Sequence, residues 1–347
     1  MQTLAIKYRP KTFSDVSEQD NIKTILETQI QTNTIKNAYL FCGGAGTGKT
    51  TCARIFANEI NKGNGSPIEL DAASNNGVDD VREINKQAKT KSLDSEYKIF
   101  IIDECHALSN SAWQSMLKLI EEPPAKTIFI FCTTDPQKIP KTILSRVQRY
   151  DFKRISQQGI VDRLEHICTQ EHIITSSGDT QLDGDTFIDI AKALEYIARL
   201  SDGGMRDAIT MLDKCLSYST ELTLDNVLNA LNLKSQDTMI ELTNQIMSKD
   251  VKLLTTLDNI YMSGTDLKQF IREYTNFIFD VKKCVILDDI STTHIFDSED
   301  SRKLLKNANK CVILDDLLKA LIKLSQEIKF DNYPRYLIEY TLMEVIS

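Results

Sequence analysis

The sequence predicts an α/β domain built on a parallel sheet and followed by two helical domains. Three observations predict it. Short, almost continuously apolar runs alternate with helical patterns through the first half of the chain. The first of these runs leads straight into a glycine-rich loop. Beyond about residue 152 the strand patterns stop, and apolar residues recur at three- and four-residue steps instead.

Ala38-Tyr39-Leu40-Phe41-Cys42 is the first run, and Lys98-Ile99-Phe100-Ile101-Ile102 the second, ending in two carboxylates. Thr127-Ile128-Phe129-Ile130-Phe131-Cys132 is the third, ending in Thr133-Thr134-Asp135-Pro136. Runs without polar alternation are what strands covered on both faces look like. Ile155 to Ile173 and Thr186 to Tyr218 read as helical, separated by the polar break Ser176-Ser177-Gly178-Asp179-Thr180. From about residue 223 the pattern is helical throughout. Leu267, Phe270, Ile271, Tyr274, Phe277, Ile278 and Val281 form one apolar stripe, and Val312 to Ile328 repeats the spacing. Such stripes predict packed helices and carry no chemistry. The string Cys-Val-Ile-Leu-Asp-Asp occurs at Cys284 and again at Cys311 with flanks that do not match, so it reads as coincidence. The predicted boundaries are 1–152 for the α/β domain, 153–220 for a helical lid and 221–347 for a second helical domain.

Composition narrows the function classes. Hydrophobic content of 41% and charged content of 26% in 347 residues describe an ordinary globular chain. No apolar run approaches the ~18–20 residues that cross a bilayer, and the first residues show no signal-like apolar core. Eight cysteines without a C-x-x-C pair argue against a zinc ribbon or a disulfide framework and predict a reducing, cytoplasmic setting. The net charge of −8 leaves any nucleic-acid contact to a local patch or to helix N-termini.

Gly43-Gly44-Ala45-Gly46-Thr47-Gly48-Lys49-Thr50 fits G-x-x-x-x-G-K-[ST], follows the first strand and opens a helical stretch that continues through Thr51 to Glu59. Glycines let successive backbone N–H groups turn inward around a phosphate, and the helix N-terminus adds partial positive charge there. The pattern predicts Lys49 on the β/γ-phosphates and the Thr50 hydroxyl on Mg²⁺. The bland alternative, a chance glycine turn, lacks the strand and the helix that are both present. Asp103-Glu104 at the end of the second run predicts a second Mg²⁺ ligand and a residue that orients water, since parallel neighbouring strands bring their C-terminal ends together. His106 follows closely but has no second ligand at useful spacing, so it reads as a structural or surface histidine.

Tyr8-Arg9-Pro10-Lys11-Thr12-Phe13, Asp71-Ala72-Ala73-Ser74, Leu119-Ile120-Glu121-Glu122-Pro123-Pro124, Thr133-Thr134-Asp135-Pro136 and Ser145-Arg146 then occur in order, followed by Gly203-Gly204-Met205-Arg206-Asp207-Ala208. From residue 3 to 218 the chain resembles the gamma/tau clamp-loader ATPases of bacterial DNA polymerase III, with a looser resemblance beyond. The resemblance implies an α/β P-loop NTPase of the AAA+ type, a helical lid and an all-α collar that assembles subunits into a ring or spiral. It implies Thr134 as sensor 1, Arg206 as sensor 2, and Arg146 as an arginine finger completing a neighbour's site. Tyr8, Arg9 and Pro10 match the segment packed on the nucleotide base and ribose. It further implies ATP and Mg²⁺ as ligands, and delta- and delta-prime-like subunits, a sliding clamp and primer–template DNA as partners. Arg82, Lys86 and Lys89 on the helix after Asn76-Gly77-Val78, with Ser109 and Ser111 at another helix opening, match its DNA-facing segments, although a solvated helix face reads as well for any one lysine.

Two departures from the family pattern stand out. The interval Asn61-Lys62-Gly63-Asn64-Gly65-Ser66-Pro67 carries no cysteine where relatives hold a four-cysteine zinc module, so no zinc is expected. No long tail follows the collar region, which predicts a trimmed loader, phage-encoded or from a compact genome, without tau-type links to polymerase and helicase. Two other readings use the same motifs: a branch-migration or replication-restart AAA+ ATPase, and a catalytically dead ring subunit. The acidic helical C-terminal region argues against the first, and intact Lys49, Thr50, Asp103 and Glu104 against the second.

Overall fold

The computed structural model describes residues 2–75, 77–90, 92, 94–173, 184–289, 293, 295, 298–309, 311, 313–329, 331 and 333–346. The polar break at 176–180, Asn76 and Val312 therefore lie outside the described residues. The chain divides into two compact units, Met1–Thr223 and Leu224–Ser347.

The first unit runs α1 (Leu4–Lys7), α2 (Asp20–Gln31), β1 (Ala38–Cys42), α3 (Lys49–Ile60), β2 (Ile68–Asp71), α4 (Val78–Ala88), β3 (Lys98–Asp103), α5 (Asn110–Glu121), β4 (Thr127–Thr133), α6 (Lys141–Leu144), β5 (Gln148–Asp151), α7 (Gln157–Gln170), α8 (Gly184–Leu200) and α9 (Met205–Tyr218). The strands form one sheet in the order β2-β3-β4-β1-β5, and every pairing is parallel. All residues of β1 and β4 are buried, as unbroken apolar runs require. Period-two alternation splits each strand between two cores. Tyr39, Phe41, Ile99, Ile101, Ile128 and Ile130 meet Cys52, Phe56 and Ile60 of α3 on one face. Leu40, Phe100, Ile102, Phe129 and Phe131 meet Ile84 of α4 and Trp113, Met116 and Ile120 of α5 on the other. The result is a three-layer sandwich with strand C-termini gathered on one edge.

Two sequence expectations need correction. β1 and β3 are not neighbours, because β4 lies between them. Their C-terminal residues still converge, since the loop after β1 reaches across the end of β4. The helical stretch 186–218 is also interrupted: α8 ends at Leu200 and α9 starts at Met205. Gly203 sits there at φ +81°, and a Cβ on it would lie 2.6 Å from the Arg154 Cβ, so the chain turns where only glycine fits.

The second unit is helical: α10 (Leu224–Leu231), α11 (Gln236–Met247), α12 (Leu253–Met262), α13 (Leu267–Leu287), α14 (Glu299–Ala308), α15 (Ile313–Glu327) and α16 (Pro334–Ile346). The expected stripe on α13 is its core, with Phe270, Ile271, Tyr274, Phe277, Ile278 and Val281 all buried against Leu317, Leu321 and Leu324 of α15. The repeated six-residue string has two different settings. The first copy ends α13, with Asp288 in the left-handed region; Cys311, which opens the second, precedes α15. Among the described residues no helix is long and apolar enough to cross a membrane.

Candidate nucleotide site

The glycine-rich loop links β1, which lies between β4 and β5, to α3, and so sits on the edge where the strands end. Lys49, the first residue of α3, is buried, and its Nζ donates to the carbonyls of Gly43 at 2.9 Å and Gly44 at 2.6 Å. Burial pulls its pKa below the ordinary lysine value, and the nearby Glu104 carboxylate opposes that shift. Thr50 Oγ1 donates to Asp103 Oδ2 at 2.7 Å. Two residues 53 positions apart thereby present a hydroxyl and a carboxylate oxygen at one point, a hard-oxygen pair that suits Mg²⁺.

Glu104 adopts φ 45° and ψ 42°, a left-handed conformation costing on the order of 1 kcal/mol or more for a residue with a Cβ. The turn aims its carboxylate toward the end of β4. Glu104 Oε2 accepts from Thr134 Oγ1 at 2.9 Å and from the Thr134 amide at 3.3 Å, and lies 3.2 Å from His106 Nδ1. The same His106 nitrogen is 3.2 Å from Thr133 Oγ1. Spacing alone makes His106 unremarkable, yet it touches the water-orienting candidate directly. Among the described residues no cluster of three or more His, Cys, Asp or Glu could hold a metal ion.

A cavity of about 300 Å³ is lined by Ala45 to Thr51, Asp103, Glu104, Tyr8, Arg9, Pro10 and Arg206, among others. The P-loop, the carboxylate pair, the N-terminal segment and the first turn of α9 thus share one pocket, as the motif order implies. The start of α9 is fastened to the loop: the Met205 amide donates to Gly46 O at 3.1 Å. Gly46 has φ +69°, and a Cβ there would come within 2.9 Å of Gly204 Cα, so the approach needs a glycine. Gly43 and Gly44 do not line the cavity; they supply the carbonyls that hold Lys49. Arg163 of α7 also lines it and escaped the sequence reading. An isolated arginine in a helix carries no spacing signal, and only the docking of the lid puts it there. Cys42 and Cys52 beside the loop are buried, which pushes their thiols up to about 11 and about 12, so they are protonated fillers at neutral pH.

Other predicted residues lie outside the pocket lining. Arg146, just after α6, pairs with Glu121 Oε1 at 2.7 Å and donates to Thr142 O at 2.8 Å. Arg82 pairs with Asp79 at 2.7 Å and Lys86 with Glu83 at 3.7 Å, so two of the DNA-contact candidates are balanced within α4; Lys89, its C-cap, is exposed. Ser109 caps α5 by accepting from the Ala112 amide at 3.2 Å, and its Oγ lies 3.1 Å from Ser111 Oγ. The cysteine-free interval is a short turn in which Asn61 bonds the Tyr97 backbone twice, at 2.9 Å each.

Comparison with known proteins follows the same lines. A family model described as DNA polymerase III, delta subunit, matches residues 67–156, a stretch that begins after the P-loop. The chain is 36% identical to DNA polymerase III subunit tau of Bacillus subtilis over 99% of this chain and 63% of that protein. It is 33% identical to subunit gamma/tau of Mycoplasma genitalium, over 77% of this chain and 46% of that protein. To subunit gamma of Buchnera aphidicola it is 29% identical, with 100% of this chain and 99% of that one covered. The chain thus spans between about half and two thirds of the first two relatives. Among solved structures, the RuvB Holliday junction branch migration motor of Thermotoga maritima has a TM-score of 0.52 at 18% identity, covering 75% of this chain and 86% of that one. That likeness is one of fold alone.

Proposed function

We propose that the chain is an ATP-hydrolysing subunit of a sliding-clamp loader, a reading supported by its similarity to the gamma and tau subunits of bacterial DNA polymerase III along most of its length. The observation that carries this reading is the convergence of Thr50, Asp103, a buried Lys49 and Glu104 in the cavity that Arg206 also lines. Thr50 and Asp103 would hold Mg²⁺, which when bound offsets charge on the β- and γ-phosphates. Lys49 exchanges the carbonyls of Gly43 and Gly44 for phosphate oxygens. Thr134 has a single hydroxyl proton, now given to Glu104; donating it to a γ-phosphate frees Glu104 to orient the attacking water. Arg206, one turn inside the lid, reaches the same phosphates from above.

Arg146, outside the lining of its own pocket, acts in a neighbour's site, so activity depends on assembly into a ring or spiral. The parts are an α/β domain over 1–152, a lid over 153–220 and a collar over 221–347. Its partners are delta- and delta-prime-like subunits, a sliding clamp and primer–template DNA, the last met by Arg82, Lys86, Lys89, Ser109 and Ser111. ATP binding favours a closed spiral around clamp and DNA, and hydrolysis releases both. The delta-type family match also fits a subunit that only scaffolds; the intact Lys49–Thr50–Asp103–Glu104 set supports the catalytic role instead. The likeness to RuvB is one of fold and favours no motor function.

Steady-state ATP hydrolysis of the purified chain, alone and with clamp, companion subunits and primed DNA, tests the proposal. Slow turnover alone, a sharp rise with clamp and primed DNA together, and collapse in both Lys49→Ala and Arg146→Ala are expected. For Arg146→Ala the loss in the assembled complex is on the order of 10³-fold or more. Full stimulation by branched or duplex DNA without any clamp would overturn it.

A further inference from the structure

We infer that Arg163 is a positioning residue for the base end of the nucleotide, tying the segment Leu4–Pro10 to the lid so that the two move as one. The inference rests on the nucleotide-site reading and deepens it.

Residues 4–8 precede the sheet domain in sequence yet are gripped by the lid at three points. The Leu4 amide donates to Asp213 Oδ2 on α9 at 3.2 Å. Lys7 Nζ pairs with Glu171 Oε1, just past α7, at 2.5 Å, and the Tyr8 hydroxyl donates to that same oxygen. Arg163 Nη2, from the middle of α7, donates to the Tyr8 carbonyl at 2.9 Å. Among the described residues the long-range hydrogen bonds of residues 4–8 all go to these lid groups. Tyr8, Arg9, Pro10 and Arg163 line the cavity that the P-loop lines from the sheet side. Arg163 is half-buried there, and burial draws its pKa down against the opposing charge of Asp15, so the guanidinium stays at a site that resists it.

The geometry explains what such an arginine does. A carbonyl in a short exposed segment is a weak anchor by itself. A charged donor fixed in a packed helix holds it with greater strength and direction than a neutral one. Closing the lid then delivers Tyr8–Pro10 to the base and Arg206 to the phosphates in one movement. The phosphate end already has Lys49, Thr50 and Arg206, whereas Arg163 is committed to the segment at the other end of the cavity. Its loss therefore weakens whatever ATP and ADP share, rather than the γ-phosphate contact that separates them.

The experiment measures ATP and ADP affinity of the full chain by calorimetry for Arg163→Ala, Arg163→Lys and, as reference, Arg206→Ala, with thermal midpoints recorded alongside. Arg163→Ala is expected to weaken ATP and ADP equally, by about tenfold, the usual scale for one lost charged hydrogen bond. Arg163→Lys, which keeps a cationic donor, regains part of the loss. Arg206→Ala instead weakens ATP more than ADP. A loss confined to ATP in Arg163→Ala makes this residue a phosphate ligand and overturns the inference. So does an unchanged affinity in a folded protein with a lowered thermal midpoint, which assigns Arg163 to stability alone. If the unaltered chain binds neither nucleotide, the nucleotide-site reading falls with it.

Discussion

At the residue scale, two adjacent carboxylates acquire different tasks from their neighbours. Asp103 ends β3 and faces Thr50, while Glu104 turns away through its left-handed backbone to meet Thr134 and His106. The arginine finger candidate shows the same dependence on a neighbour. Glu121, the last residue of α5, holds one side of the Arg146 guanidinium, and Thr142 O and Ser145 Oγ hold another. The ion pair is exposed on both sides, so it adds only ~0.2–1 kcal/mol to stability. If Arg146 is the finger we propose, the pair's larger effect is to aim it. Glu121→Gln is expected to leave ATP binding and the thermal midpoint nearly unchanged while slowing ATP turnover of the assembled loader on the order of tenfold, since a small misplacement of a reacting group is costly. Unchanged turnover in the assembled complex would show that Arg146 needs no such guide.

At the element scale, the N-terminal turn α1 is held to the lid partly by charge, which makes its docking pH-dependent. The hydrogen bonds from Lys7 and Tyr8 hold the Glu171 carboxyl below the ordinary carboxylate range of about 4.3. A carboxyl depressed in the folded state contributes stability that is fully present above its unfolded value and lost as pH falls through the folded one. The thermal midpoint of Glu171→Gln is therefore expected to lie below that of the unaltered chain at pH 7. Solvent screening keeps the gap small, on the order of a degree, and it closes below about pH 4. Thermal melts of both proteins across pH 3 to 8 measure it; a gap that widens in acid contradicts the assignment. The strands needed no such context: β1, β3 and β4 stand where their apolar runs predict, because full burial permits no polar alternation. The break between α8 and α9 is harder to place from periodicity, since helical spacing resumes in phase after Gly203-Gly204.

At the scale of the whole molecule, the nucleotide cavity is formed wholly by residues of the first unit, from Ala5 to Ile209. The second unit has its own core centred on α13 and α15. Residues 1–223 expressed alone are expected to fold and to bind ATP with an affinity within about twofold of the full chain, because distant sites act nearly independently. Calorimetry on the shortened protein decides this. Loss of binding by a folded 1–223 fragment would show that the second unit shapes the pocket.

The fold class, the P-loop and the Asp103-Glu104 pair were legible in the sequence by itself, because each is written in contiguous residues whose spacing answers to local physics. Apolar runs specify buried strands, glycines specify a loop that can cradle phosphate, and carboxylates at a strand end mark a candidate cation site. Which groups Glu104 meets was decided only by tertiary structure. β4 intervenes between β1 and β3, so Thr134 rather than a P-loop residue meets Glu104, and His106 joins it across a turn. The lid likewise carries Arg163 and Glu171 to a segment more than 150 positions earlier. No periodicity encodes such pairings; they arise from the docking of separately specified elements, where burial of apolar faces sets the geometry and the polar groups at the seam take the partners that docking leaves within reach.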